Sequence, residues 1–253
     1  MKLAVSGKGG VGKTTLAATL AYLFKEHGAK VLAIDADPDA NLAGALGFKD
    51  LSGLVPISQM TELVAERTGS EPGTYGTFFS INPKVDDLPD TLAKEINGIR
   101  FMTLGGVKKG GGGCICPESV LLKSLVMNLV LTRDEAVIMD MEAGLEHLGR
   151  ATSTGVDALI AVAEPGQRSL ETVRTIKKLC GDLGLRKVYA VGNKVRNQAD
   201  RDFISHNAGG VPILGFIPYA DSIIDSDRLG VAVYEKSPEA VAACREIYSR
   251  LVS

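Results

Sequence analysis

Near the start of the chain, Gly7-Lys8-Gly9-Gly10-Val11-Gly12-Lys13-Thr14-Thr15 sits between a short apolar run, Leu3 to Ser6, and an amphipathic stretch, Leu16 to Phe24. A glycine-rich turn that leaves a strand and opens a helix is the context the phosphate-binding P-loop pattern requires. The glycines let the backbone fold back so that successive N–H groups converge on one oxyanion cluster. The helix that starts after Gly12 adds the positive end of its dipole. In such a loop the Lys13 ammonium bridges β- and γ-phosphate oxygens as a point charge, and the Thr14 hydroxyl sits on Mg²⁺. The stretch predicts a nucleoside triphosphate site lined by Gly9, Gly10, Val11, Gly12, Lys13, Thr14 and Thr15.

The chain has 253 residues, 45% of them hydrophobic, and a formal net charge of −2. That length suits a single α/β domain spanning residues 1–253 and does not force a second. Near-neutral charge argues against a broad nucleic-acid footprint. Leu16 to Leu23 is too short and too polar-flanked to span a membrane. The P-loop occupies the place a signal peptide would take, so that reading fails. The expectation is a cytoplasmic protein with no nucleic-acid or membrane partner, in which four cysteines do not make a disulfide framework.

Continuous apolar runs at Lys30–Asp35, Ile99–Leu104, Ala136–Asp140, Ala158–Ala163, Val188–Gly192 and Ile213–Ile217 read as strands buried on both faces. Helical stretches fall at Ser58–Arg67, Pro117 to about Leu131, Ser169–Leu183, Ser222–Arg228 and Pro238–Leu251. The fold expected is a three-layer α/β domain, a mostly parallel sheet flanked by helices. From about Gly47 to Ile99, Pro, Gly, Ser and Thr punctuate weak patterns, and the segment reads as irregular surface structure around one helix. Acidic residues collect at strand C-terminal ends, where ligands bind in open α/β sheets. Asp35 and Asp37 precede Pro38, and Asp140 takes the Walker-B position that holds Mg²⁺ directly or through water. Asp39 reads as a solvated loop acid.

The second informative stretch is Gly105 to Glu118, with Gly110-Gly111-Gly112-Gly113 running into Cys114-Ile115-Cys116. A glycine run cannot hold a rigid conformation alone, so something else must order this loop. Cys114 and Cys116 can ligate one metal ion, but two thiolates do not complete a tetrahedral site. A twofold dimer would supply four. Pro117 opens a helix, whose N-terminus is expected to lower the thiol pKa. Cys180 and Cys244 lie on helical stretches with apolar neighbours and read as core. His27 and His206 carry no functional reading. His147 lacks His-x-His or His-Cys spacing and reads as packed or solvated.

Lys8 gives the P-loop a second lysine. The form Lys-Gly-Gly-x-Gly-Lys-Thr-Thr resembles the deviant Walker-A ATPases: the nitrogenase iron protein, the septum-site regulator MinD and the ParA partition proteins. The resemblance runs through nearly the whole chain. It implies that Lys8 reaches across a homodimer interface to the partner's nucleotide, much as an arginine finger does. It implies a switch I at Asp35–Asn41 in which Asp37 positions or activates the attacking water. Asn41 falls where the nitrogenase iron protein has an aspartate near Mg²⁺. It further implies a switch II at Met141–His147 with a hinge at Gly144. Asn193 then meets the adenine, its amide able both to donate and to accept, while Pro218 and Tyr219 wrap the base. The C-terminus lacks the basic amphipathic tail by which MinD docks on membranes.

Two features, the Cys-x-Cys after a glycine run and Asp140-Met141-Glu142-Ala143-Gly144-Leu145-Glu146-His147, are similar to ATPases that mature carbon monoxide dehydrogenase. That similarity implies an ATP phosphohydrolase that cycles ATP and ADP with Mg²⁺, with Lys8, Lys13, Asp37 and Asp140 as its catalytic residues. Ni²⁺ or Zn²⁺ would bridge a homodimer through Cys114 and Cys116, with carbon monoxide dehydrogenase as client. The alternative is an ATP-dependent iron–sulfur reductase or assembly ATPase related to the nitrogenase iron protein, whose cysteines are well separated whereas these are adjacent.

Overall fold

Strands form where the apolar runs predict them, because only a sheet covered on both faces gives such runs a place to go. The structure, a computed structural model, describes residues 1–71, 78–105, 116–145, 148, 153 and 155–253. The strands are β1 Lys2–Gly7, β2 Val31–Ala36, β3 Lys94–Ile96, β4 Ile99–Thr103, β5 Ala136–Met141, β6 Ala158–Ala163, β7 Val188–Val195 and β8 Ile213–Pro218. They form one eight-stranded sheet in the order β3-β4-β2-β5-β1-β6-β7-β8. Each neighbouring pair is parallel except β3 with β4. In the central strands β2, β5, β1 and β6 every residue is buried.

Helices cover both faces. α1 (Lys13–Glu26) packs Leu16, Leu20 and Leu23 with Leu3, Val5 and Ile138 of the sheet. The C-terminal helix, Pro238–Val252, joins that face through Cys244 and Ile247. On the opposite face lie α3 (Thr61–Thr68), α5 (Pro117–Thr132) and α6 (Gln167–Leu183), which pack with Ile34, Met139 and Leu159. Short helices α2 (Leu42–Ala45) and α4 (Leu88–Leu92) lie between α1 and α5. α7 (Gln198–Asn207), α8 (Asp221–Leu229) and α9 (Val233–Lys236) precede the C-terminal helix, α10. Cys180 and Cys244 are fully buried, as expected of core cysteines, and burial pushes their thiols up to about 11 and about 12. Among the described residues no helix is long and apolar enough to cross a membrane.

The described part of the segment from Gly47 to Ile99 is more ordered than its composition suggests. Its helix α3 starts at Thr61 rather than Ser58, after a single 3-10 turn at Ile57–Gln59. β3 and β4 form an antiparallel hairpin whose tip is Asn97-Gly98, at φ 50° and 74°. Asn-Gly is the pair that takes positive φ at both central positions of a tight hairpin turn. Bidentate Arg67–Asp87 hydrogen bonds at 2.9 and 2.7 Å tie α3 to the approach of α4. The chain therefore folds this stretch by specific pairs rather than by periodic apolar faces.

Sheet register decides where the polar residues meet. Asp35 of β2 pairs with Asp140 of β5, and Val5 of β1 pairs with the same Asp140. β1 lies between β5 and β6, the crevice at which strand order diverges and ligands bind in such sheets.

Candidate functional site

The P-loop leaves β1 at Gly7 and enters α1 at Lys13. Gly12 caps the helix at φ 93°, and a Cβ there would lie 2.0 Å from Asn193 Nδ2, so the position admits only glycine. The first turn of α1 holds no acidic residue and no side-chain cap. Its unpaired N–H groups and positive dipole end are left for an anion.

Four side chains converge below the loop. Lys13 is 7% exposed, and its ammonium lies 3.2 Å from Asp37 Oδ2. The other Asp37 oxygen accepts the Asp39 N–H at 3.1 Å. Thr14 Oγ1 donates to Asp140 Oδ2 at 2.6 Å. Asp140 Oδ1 is buried without a hydrogen-bond partner among the described residues. Burial pushes the Asp140 carboxyl up to about 7, with Asp35 and Asp37 adding to the rise and Thr14 and Lys13 opposing it. Asp35, also buried, is raised to about 6 by the same desolvation. Asp37 and Asp140 share one lysine, and Asp35 beside them adds to the deficit of positive charge. A hydroxyl beside a carboxylate with an orphaned oxygen is an oxygen donor set of the kind Mg²⁺ takes. The residues present therefore fit that ion, with Thr14 and Asp140 to hold it.

Asp35 was not singled out as a site residue from the sequence. Its carboxylate accepts the Leu42 N–H at 2.8 Å and the Asp37 N–H at 3.2 Å, which folds the segment carrying Asp37 back over the loop. The signal was the Asp-x-Asp spacing at a strand end. Asp39 is exposed, as expected of a solvated acid, and Asn41 turns its amide to the Asp39 carbonyl at 2.6 Å.

The base-side residues lie at the ends of adjacent strands. Asn193 on β7 is buried, donates to Val11 O at 2.7 Å and accepts the Lys194 N–H at 2.8 Å. One amide proton and one lone pair remain for a ligand. Pro218 ends β8 in register with Val195, and Tyr219 follows, partly exposed, with the Arg196 guanidinium 4.7 Å above its ring centroid. Arg196 has no counterpart in the sequence reading. Lys8 is exposed at the loop's outer edge.

Cys116 is the N-cap residue of α5 and is half-buried. Here the structure corrects the expectation of a lowered thiol pKa. Burial raises it, with a smaller rise from Glu118, against the lowering by the Ser119 N–H. Cys114, Glu146 and His147 lie outside the described residues.

Residues 2–232 match the family model of the CobQ/CobB/MinD/ParA nucleotide-binding domain. The chain is a member of that family. An uncharacterized ATP-binding protein of Methanocaldococcus jannaschii is 47% identical over 91% of this chain and 90% of its own length. The carbon monoxide dehydrogenase accessory protein CooC of Rhodospirillum rubrum is 45% identical over 97% of this chain and 92% of its own. The MinD cell division protein of Aquifex aeolicus superimposes with a TM-score of 0.68 at 20% identity, covering 100% of this chain and 97% of that one, which establishes the shared fold. This member of the CobQ/CobB/MinD/ParA family is a P-loop ATPase related to CooC.

Family membership makes the orphaned Asp140 oxygen a testable feature. A carboxyl whose folded pKa is raised favours its protonated form, so the fold loses stability as pH rises from about 4 towards 7. Above that range the penalty is complete. Asp140→Asn should raise the melting temperature of the ligand-free protein, with a larger gap at pH 8 than at pH 5. The same change should cut Mg-ATP hydrolysis by about 10²-fold or more. Thermal melts at the two pH values, paired with phosphate release, check both halves. A variant that melts lower at pH 8 would refute the charge penalty.

Proposed function

We propose that this ATPase is a metal carrier for the maturation of carbon monoxide dehydrogenase. It works in the cytoplasm as a homodimer that takes up Ni²⁺ or Zn²⁺ through Cys114 and Cys116 of both subunits. The observation that carries this reading is 45% identity to a carbon monoxide dehydrogenase accessory protein over 97% of the chain. That identity is joined to a Cys-x-Cys that no nucleotide chemistry requires.

In this reading ATP lies along the loop from Gly9 to Thr15, with its base between Asn193 and Pro218-Tyr219. Thr14 and Asp140 would hold Mg²⁺, which would supply charge neutralisation to the phosphates. Lys13 now has Asp37 as its counter-ion at 3.2 Å. A γ-phosphate that takes the ammonium releases Asp37 Oδ2, and the freed carboxylate can then orient water and accept its proton. Lys8 meets the partner subunit's nucleotide.

The fold supports a link between the two sites. Leu145 of switch II holds a buried side chain at φ 57°, in the left-handed region. It packs in the same core as Leu121, Leu122 and Leu125 of α5, the helix that Cys116 caps. A move of switch II toward the phosphate therefore shifts what α5 rests on.

The test is anaerobic titration with Ni²⁺ and Zn²⁺ while mass is followed by light scattering. One ion per two chains, bound as monomer converts to dimer, is the expected result. One tight ion per monomer with no change in mass would overturn the shared site. A brown iron–sulfur chromophore in protein purified without oxygen would replace the carrier reading by a reductase.

A further inference from the structure

We infer that Lys194 is a positioning residue of the nucleotide site, one that aims P-loop amides at phosphate from outside the loop. In a regular strand successive side chains point to opposite faces, so Asn193 and Lys194 of β7 could not both reach the loop after β1. Both reach it. The pairing of β7 with β8 shifts register between Gly192 and Val195, and Lys194 takes φ 56°. Glycine and asparagine adopt that left-handed backbone more readily than lysine. The local backbone therefore does not select a lysine, and the reach of its side chain is what remains.

From that backbone the Lys194 ammonium donates to Gly10 O at 2.7 Å and to Glu164 Oε2 at 3.2 Å. Gly10 has little else to hold it: a Cβ built at Gly9 or at Gly10 meets nothing within 4 Å. Asn193 holds the next carbonyl, that of Val11, at 2.7 Å. In a trans peptide the C=O and the following N–H point opposite ways. A Gly10 carbonyl drawn out to Lys194 turns the Val11 N–H inward, where its one contact is a long 3.4 Å approach to Lys8 O. A Val11 carbonyl drawn out to Asn193 does the same for the Gly12 N–H. Two consecutive residues of β7 thus set two consecutive amides of the phosphate cradle, and the Gly10 contact also steadies the shoulder that carries Lys8.

This inference rests on the ATPase reading, and pyrophosphate separates the two because it has phosphates but no base. Binding of pyrophosphate and of ATP, each with Mg²⁺, would be measured by calorimetry on the full chain and on Lys194→Met, Lys194→Gly and Lys194→Arg. Lys194→Met and Lys194→Gly should weaken both ligands by a similar factor, on the order of tenfold. Lys194→Arg should recover part of the loss. Lys194→Gly should melt no lower than Lys194→Met, since glycine is at ease at this φ, and it carries the measurement if the methionine variant fails to fold. A loss confined to ATP, or no loss for either ligand, would overturn the inference. Wild-type protein that binds neither ligand would instead sink the ATPase reading itself.

Discussion

Lys13→Ala is expected to abolish measurable ATP binding, whereas Lys8→Ala should bind ATP normally and hydrolyse it slowly. The two lysines differ in burial and in what faces them. Lys13 is nearly buried, and its ammonium is the nearest cation to Asp37, in a pocket that also holds Asp35 and Asp140. Removing it deletes a charge-assisted contact to phosphate, of the kind worth roughly 1.5–3 kcal/mol each. It also leaves three carboxylates uncompensated against an incoming triphosphate. The two effects act in the same direction, so affinity should fall by about 10²-fold or more. Lys8 is exposed and makes no ion pair among the described residues. Its loss should leave calorimetric affinity for a non-hydrolysable ATP analogue within about twofold of wild type. Turnover, if Lys8 serves the partner's nucleotide, should drop on the order of 10³-fold, as loss of a trans-acting cation does. The analogue should also fail to drive dimerisation of Lys8→Ala in light scattering. Equal losses of affinity in both variants would show that Lys8 does not act across an interface.

The chemistry of this site was legible where one residue type at one spacing has one physical use. Lys13 and Thr14 after a glycine turn, and Asp140 at the end of an apolar run, lie within one pocket because parallel strands bring their C-terminal ends to one edge. The central strands were legible for a related reason: burial on both faces forces an unbroken apolar run. The hairpin of β3 and β4 was not legible by periodicity, since β3 is three residues long and largely exposed. Its only signal was Asn97-Gly98. The roles of Asp35 and Lys194 depend on contacts that apolar patterning does not display, Asp35 with a backbone N–H seven residues on and Lys194 with a carbonyl 184 residues away. No local pattern encodes the second of these. The Cys116 thiol shows a related limit. A helix N-terminus argues for a lowered pKa, but burial, which sequence spacing does not report, raises it.

Metal and ATP should each tighten the other's binding by the same factor, and serine at either cysteine should remove the effect. If four thiolates come from two subunits, a metal ion binds the dimer and not the monomer. If Lys8 serves the partner's nucleotide, ATP also favours the dimer. Two ligands that prefer the same state are coupled, and linkage makes the coupling reciprocal, commonly about 5–150-fold. Zn²⁺ affinity measured with a non-hydrolysable ATP analogue should therefore exceed that without nucleotide, and the analogue should bind more tightly with Zn²⁺ by an equal ratio. Cys116→Ser is a clean probe because the position is the N-cap of α5. Serine is among the best N-cap residues, so the variant should fold at least as well, gaining up to about 1 kcal/mol. Its metal affinity should nevertheless fall by more than the roughly 10–100-fold that follows loss of an outer-shell partner. Two thiolates per dimer cannot complete a tetrahedral site. Cys114→Ser should behave alike. Affinity for the ATP analogue without metal should be unchanged in both, since neither position belongs to the phosphate loop. A serine variant that keeps the full coupling would move the metal elsewhere in the dimer. The absence of any gain, in metal affinity with the analogue and in analogue affinity with metal, would overturn the two-subunit account.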